Sequence, residues 1–218
     1  KTMISAIVPI KRESQRVEYK NFREINGKPL FYWILSSLNS SDYIDEIIVN
    51  IDDEYIEEEL KKYFDFLKFV YRPDNLKGNE VSMNKIIDST LDDCKNNSII
   101  QTHTTNPFLK VSTIDNVLKE HLDKGINYFT VTKIQERLYD ANGIPVNHKI
   151  DNLVQTQDLE PIYIENSGFY IFTKESFKKN NNRISKDSRM FETKFPENID
   201  IDNESDFKIA EILLQENL

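Results

Sequence analysis

Residues 4–10 read Ile-Ser-Ala-Ile-Val-Pro-Ile, and residues 11–21 read Lys-Arg-Glu-Ser-Gln-Arg-Val-Glu-Tyr-Lys-Asn. The first stretch is a short apolar run closed by Pro9, which reads as a buried strand. The second is polar and densely charged, so the chain leaves that strand into a loop. Gly27-Lys28-Pro29 follows, and residues 29–38 read as a helix with proline in its first turn. The pattern then repeats. Strands are expected at 46–51, 68–71, 98–102 and 127–132. Helices are expected at 53–63 with Asp53 as cap, at 82–94, and at 111–124 with Val111, Ile114, Val117, Leu118 and Leu122 on one face.

Alternation of this kind predicts an α/β chain: a three-layer, nucleotide-binding (Rossmann-like), mostly parallel sheet with helices on both faces. In such sheets ligands sit beyond the carboxyl ends of the strands, which directs attention to loops 11–21, 72–80 and 103–110. The pattern changes at 133–161, where Asn142-Gly143, Pro145 and Pro161 interrupt weak periodicity. That region is either a small hairpin insertion or a long loop. Two short apolar runs flank Ser167-Gly168 at 162–173. A final helix is expected at 203–217, with Asn203 or Asp202 as its cap. The whole, 1–218, fits one domain with an excursion at about 133–161.

Composition narrows the function. The net charge is -9, which repels phosphate backbones and argues against a nucleic-acid partner. The lone cysteine, Cys94, permits no intrachain disulfide, and His103, His121 and His148 lack zinc spacing. No apolar run approaches the ~20 residues of a membrane span, and the apolar start is too short for a signal peptide. A cytoplasmic enzyme is the expectation.

Three segments could carry chemistry. The loop after the first strand holds Lys11, Arg12, Arg16, Lys20 and Arg23, with Ser14 and Asn21 among them. Clustered cations in an acidic protein suit a triphosphate; a solvated charged loop is the alternative. The Walker pattern is absent. Asp200-Ile201-Asp202 sets two carboxylates on one side of an extended chain, which suits Mg2+ or a helix cap. Asp52-Asp53 is a weaker rival pair. His103-Thr104-Thr105-Asn106-Pro107 is a polar turn that could read a base edge or simply lead from strand to helix.

The order of these segments resembles the cytidylyltransferase family that makes CMP-activated 2-keto-3-deoxy sugar acids, its sialic acid branch above all. The likeness is carried by Ala6 to Ser14 with Lys20-Asn21, Asn26 to Leu30, Arg72 to Leu76, His103 to Pro107, Glu165 to Tyr170, and Asp200 with Asp202. It spans about residues 4–210. The resemblance implies CTP and an acidic sugar as substrates, Mg2+ as cofactor and a homodimer, with no membrane partner. Lys11, Arg16 and Lys20 would hold the triphosphate, with Arg12, Ser14 and Asn79 beside them. Asn21, Arg72 and His103 would line the cytidine pocket. Asp200 and Asp202 would hold the metal, and Asp202 is the candidate base. Gln157, Glu165 and Tyr170 would face the sugar. Lys11, Lys20 and Asp202 are the expected catalytic set. The departures are Lys11 for arginine, which exchanges a bidentate contact for a point charge, Arg12-Glu13 for small residues, Asn79 for aspartate, His103 for glutamine, and Gln155-Thr156 for a pair of arginines. The last leaves room for another acceptor, such as a different keto-deoxy acid, a phosphonate or a sugar phosphate, or for a weakly active nucleotide-binding relative.

Overall fold

The structure is a computed structural model and describes residues 2–216. In chain order its elements are β1 (Ile4–Ile10), β2 (Glu24–Ile25), β3 (Lys28–Pro29), α1 (Leu30–Asn39), β4 (Ile44–Ile51), α2 (Glu54–Lys61), β5 (Lys68–Tyr71), α3 (Met83–Leu91) and β6 (Ser98–Thr102). They continue as α4 (Val111–Lys124), β7 (Tyr128–Ile134), β8 (Ile162–Thr173), α5 (Lys174–Asn180), β9 (Arg189–Glu192) and α6 (Glu204–Gln215).

Seven strands form one sheet in the order β5-β4-β1-β6-β8-β7-β9. β8 runs antiparallel to both its neighbours, and the other pairs are parallel. β1 sits near the centre, and all seven of its residues are buried. Its two faces serve different layers because side chains alternate along a strand. Ile4, Ala6, Val8 and Ile10 join the core beneath α1, α2 and α4. Ile7 points the other way, with Ile48, Ile99 and Phe172, against Ile87 and Leu91 of α3 and Phe177 of α5. A run apolar at every position is therefore what a strand sandwiched between two helical layers requires.

A third core matters most for the site. Val17 from the charged loop, Ile25 and Leu30 pack with Ile201 and with Phe207, Ala210 and Leu213 of α6. Val17, Ile201 and Phe207 have no exposed surface. This small cluster clamps the loop after β1 to the segment that leads into α6.

Some boundaries differ from the sequence reading. Pro29 is extended at the cap position of α1 rather than inside its first turn. Asn203, not Asp202, caps α6: its side chain accepts from the Ser205 and Asp206 backbone amides, and Asp206 returns the contact to the Asn203 amide. That is a capping box. Position 217 of the expected final helix lies outside the described residues. The two apolar runs at 162–173 are one strand, kinked where Ser167 takes φ 56° and the β7–β8 register slips. Gly168 follows the kink, and a Cβ there would lie 2.7 Å from Thr130 Oγ1. The excursion contains a minimal hairpin. Tyr139 and Pro145 form an isolated bridge, and Asp140 Oδ1 accepts from the amides of Asn142 and Ile144.

Candidate functional site

The carboxyl ends of β1, β4 and β6 open on one crevice. One part, of about 240 Å3, is lined by Lys11, Ser14, Arg16, Lys20 and Asn21 from the first loop. Arg72, Asn79 and Met83 close it from one side, and His103, Thr104 and Thr105 from another. A second part, of about 380 Å3, continues past Lys11 and Asn79 to Asp52 and Asp53.

The five loop cations divide into two groups. Arg12 pairs with Asp53 at 2.9 Å and lies over the Tyr55 ring, while its amide donates to Asp52. Arg23 pairs with Glu204 and lies 3.8 Å from the centroid of the Phe207 ring, so it serves the clamp. Lys11, Arg16 and Lys20 face the crevice. Lys11 Nζ donates to the Gly78 carbonyl at 3.0 Å and to Asn79 Oδ1 at 3.3 Å. Burial, and then the Arg72 charge, hold its pKa below the usual lysine value. Lys20 Nζ donates to the Ile201 carbonyl at 3.0 Å, and burial lowers its pKa despite the pull of Asp202 and Asp200. Ammonium groups taken partly out of water are short of partners, and an anionic ligand supplies them.

Arg16 Nη2 meets Asp202 Oδ1 at 2.7 Å. Asp200 behaves differently. Its Oδ1 is buried and has no hydrogen-bond partner, and burial raises its pKa even though Thr105 donates to the carboxylate. An orphaned buried acceptor beside a second carboxylate fits a hard cation that takes one or two carboxylates and completes its shell with phosphate oxygens and water. Among the described residues no group of three or more His, Cys, Asp or Glu side chains could hold a metal. The rival acidic pair is already engaged: Asp53 caps α2 through the Tyr55 amide and pairs with Arg12, both of which hold its pKa low.

Two buried polar frameworks set the crevice wall. Arg72 is buried, its Nε donates to Asn50 Oδ1, and Asn50 Nδ2 donates to Thr90 Oγ1 at 2.9 Å. Arg72 Nη1 is left without a partner. Asn21 is buried as well; its Nδ2 donates to the Lys11 carbonyl, and its Oδ1 accepts from Thr104. The Asn21 amide therefore joins two loops of the crevice. Beside them, Thr102 Oγ1 and Asn106 Nδ2 donate to the Gly168 and Ser167 carbonyls, tying the His103 turn to the kink in β8.

The sugar-side candidates do not gather in this crevice. Gln157 is exposed on the excursion, where its carbonyl accepts from Gln135. Glu165 is exposed and accepts from the Tyr170 hydroxyl. Tyr170 is fully buried, so it reaches a ligand only through its partners. Sequence reasoning missed Gln101 and Arg183. Arg183 Nη1 donates to Gln101 Oε1 at 2.7 Å and the guanidinium lies 3.6 Å from the Tyr170 ring centroid. Gln101 carried a faint signal, a large polar side chain following Ile99-Ile100 in a short strand. Arg183 carried none.

Comparison with known proteins agrees with the geometry. The family model described as Cytidylyltransferase matches residues 5–218. The chain is 25% identical over 225 residues to CMP-N,N'-diacetyllegionaminic acid synthase of Legionella pneumophila, covering 98% of this chain and 97% of the other. It is also 25% identical to pseudaminic acid cytidylyltransferase of Campylobacter jejuni, over 97% and 96% of the two chains. The fold is similar to that of a CMP:2-keto-3-deoxy-manno-octonic acid synthetase complexed with CTP, with a TM-score of 0.73, 11% identity and full coverage of both chains. It is likewise similar to 4-diphosphocytidyl-2C-methyl-D-erythritol synthase from Anaerococcus prevotii, with a TM-score of 0.69, 18% identity and coverage of 98% and 96%.

Proposed function

Because this chain belongs to the cytidylyltransferase family, we propose that it transfers CMP from CTP to an acidic 2-keto-3-deoxy sugar of the nonulosonate kind, releasing pyrophosphate. The observation that carries the reading is that Lys11, Arg16 and Lys20 line one crevice while Arg16 pairs with Asp202 and Lys20 donates to the carbonyl of Ile201, the residue between the two carboxylates. Cations for a triphosphate and carboxylates for a cation belong together in nucleotidyl transfer.

In this reading the anomeric hydroxyl oxygen of the sugar attacks the α-phosphorus. A new O–P bond forms, the bond to the bridging oxygen breaks, and pyrophosphate leaves with the displaced electron pair. The hydroxyl proton passes to a base, for which Asp202 is the candidate. Lys11, Arg16 and Lys20 neutralise charge on the phosphates, and rigid placement does most of the remaining work. Asp200 and Asp202 would hold Mg2+, which when bound offsets phosphate charge. Ser14 and Asn79 border the phosphates, while Arg12, paired with Asp53, lines the second part of the crevice; Arg72, with its unpaired Nη1, borders the base.

A homodimer is part of the proposal. Tyr139, Ile144, Val146, Ile150 and Leu153 are exposed on the excursion, Leu153 at 81% and Ile150 at 74%. Clustered apolar exposure of this kind marks an interaction surface. No helix among the described residues is long and apolar enough to cross a membrane.

Pyrophosphate release measured with CTP, Mg2+ and a panel of acidic sugars tests the reading. Release with a nonulosonate is the expected result. No release with any sugar, together with no thermal shift on adding CTP and Mg2+, rejects it.

A further inference from the structure

β6 reads Ser-Ile-Ile-Gln-Thr, and all five of its residues are buried. Gln101 is fully buried, and both ends of its amide are engaged. Arg183 Nη1 stands 2.7 Å from Oε1, and a guanidinium can only donate. The Thr102 carbonyl stands 3.2 Å from Nε2, and a carbonyl can only accept. Two neighbours of opposite polarity therefore fix which end is oxygen and which is nitrogen. The remaining N–H of Gln101 is directed at His103 Nε2, 3.1 Å away.

A ring nitrogen that accepts this bond carries a lone pair. A doubly protonated imidazole would set donor against donor. Burial, followed by the charges of Arg183 and Lys20, pushes the His103 pKa down to about 3, which agrees with a neutral ring. Its one proton then belongs on Nδ1. Among the described residues Nδ1 has no hydrogen-bond partner, and His103 lines the crevice beside Arg72, Met83 and Lys20. Arg183 is itself held from behind, by the Tyr170 ring and by its amide donating to Asn84 Oδ1 at 3.2 Å.

We infer that Gln101 and Arg183 are positioning residues that lock His103 in its Nδ1–H tautomer, so that the crevice offers an uncharged donor to a carbonyl-type oxygen of the bound ligand. The tautomer stands on the hydrogen bonds alone; the identity of the ligand rests on the function proposed above. Under that function two ligand oxygens share the chemistry, the base carbonyl and the sugar carboxylate. A ligand lacking an acceptor there would leave a desolvated donor unpaired, which is how such a site selects.

Nitrogen-15 NMR of the imidazole in the full, ligand-free chain tests the tautomer. The expected spectrum shows a protonated Nδ1 and a bare Nε2 at neutral pH. In Gln101→Glu the carboxylate can only accept, so Nε2 becomes protonated. A wild-type ring with a bare Nδ1, or a folded Gln101→Glu with an unchanged tautomer, overturns the inference. If Gln101→Glu does not fold, the wild-type spectrum decides. Calorimetry locates the acceptor. If it is the base, His103→Ala binds CTP alone about tenfold more weakly, the scale of one hydrogen bond, and His103→Gln, which keeps an uncharged donor, recovers most of it. If it is the sugar, CTP affinity holds and the KM for the sugar rises by a similar factor. If neither changes, His103 donates to no ligand and the inference falls. A wild-type chain that binds no CTP would sink the proposed function while leaving the tautomer result intact.

Discussion

Arg16 donates to Asp202 at 2.7 Å, joining positions 186 residues apart. Both side chains keep much of their surface in water, 67% for Arg16 and 42% for Asp202, so the pair adds at most about 1 kcal/mol to stability. Its significance is spatial: a phosphate-type cation and a metal-type carboxylate share one small volume.

Asp202→Asn is therefore expected to cut turnover with CTP and Mg2+ by about 100-fold, the scale of a lost electrostatic contact in a transition state. Its stability should stay within about 0.5 kcal/mol of wild type. Asn203→Ala, one residue on, should do the reverse, losing about 1 kcal/mol with the helix cap and keeping most turnover. Steady-state kinetics beside urea denaturation read both. A stable, active Asp202→Asn would remove Asp202 from the mechanism.

Asp200 exposes a conflict between stability and function. Burial raises its pKa in the folded chain above the ordinary carboxylate value. The folded state then holds its proton more tightly than the unfolded state does, so stability falls as pH rises through that window and the full penalty persists at neutral pH. Asp200→Asn should raise the melting temperature in metal-free buffer at pH 7 and abolish turnover. The stabilisation should shrink toward acid pH. Scanning calorimetry at two pH values checks it, and a lower melting temperature at pH 7 would contradict the account.

Asn50 supports Arg72 from beneath, and both side chains lie in a buried wall. Asn50→Ala should destabilise the chain by about 2 kcal/mol, the scale of a hydrogen bond to a charged group. If Arg72 borders the base, as proposed, the KM for CTP should rise more than kcat falls. Equal losses in both parameters would place Arg72 nearer the reacting phosphate.

Gly168→Ala would set a methyl group 2.7 Å from Thr130 Oγ1 and 3.3 Å from its Cβ. Thr130 is buried and its Oγ1 already accepts from the Phe169 amide at 3.1 Å, so it has little room to yield. A loss of about 1–3 kcal/mol is expected, as for other overpacked sites. Activity should fall as well, since the Ser167 and Gly168 carbonyls anchor the His103 turn. A chemical denaturation midpoint equal to wild type would show that the strand shifts freely.

Much of the architecture is legible in the sequence because burial on two faces leaves a plain mark. Ile4–Ile10 and Val111–Lys124 read as strand and helix with the boundaries the structure has. β9 and the β2–β3 pair went unseen, because four or two residues of mixed polarity carry no period. α5 was missed too; its end is set by Asn181 in a left-handed conformation, within the asparagine run that reads as mere low complexity. At the site, Lys11 and Lys20 were legible as charges in the loop after β1 and Asp200–Asp202 as a carboxylate pair ahead of the last helix, while Arg72 was marked only by the family resemblance. Their division of labour was not legible. Arg12 and Arg23 look like their neighbours in sequence, and only tertiary contact with Asp53 and Glu204 takes them elsewhere. Arg183 is the extreme case, a loop residue whose partner, Gln101, lies 82 positions away.

The small third core has a consequence for the order in which the molecule is built. Val17 shares its cluster with the early residues Ile25 and Leu30, but also with Ile201, Phe207 and Ala210, which are made much later. A growing chain can lay down β1, β4 and β6 and pair them while the cluster around residue 17 is still half built. Until α6 emerges, Arg16 has no Asp202 and Lys20 no Ile201 carbonyl to meet. On the ribosome, then, the sheet comes of age before the chemistry does, and a nascent chain that already has its shape still has no trade.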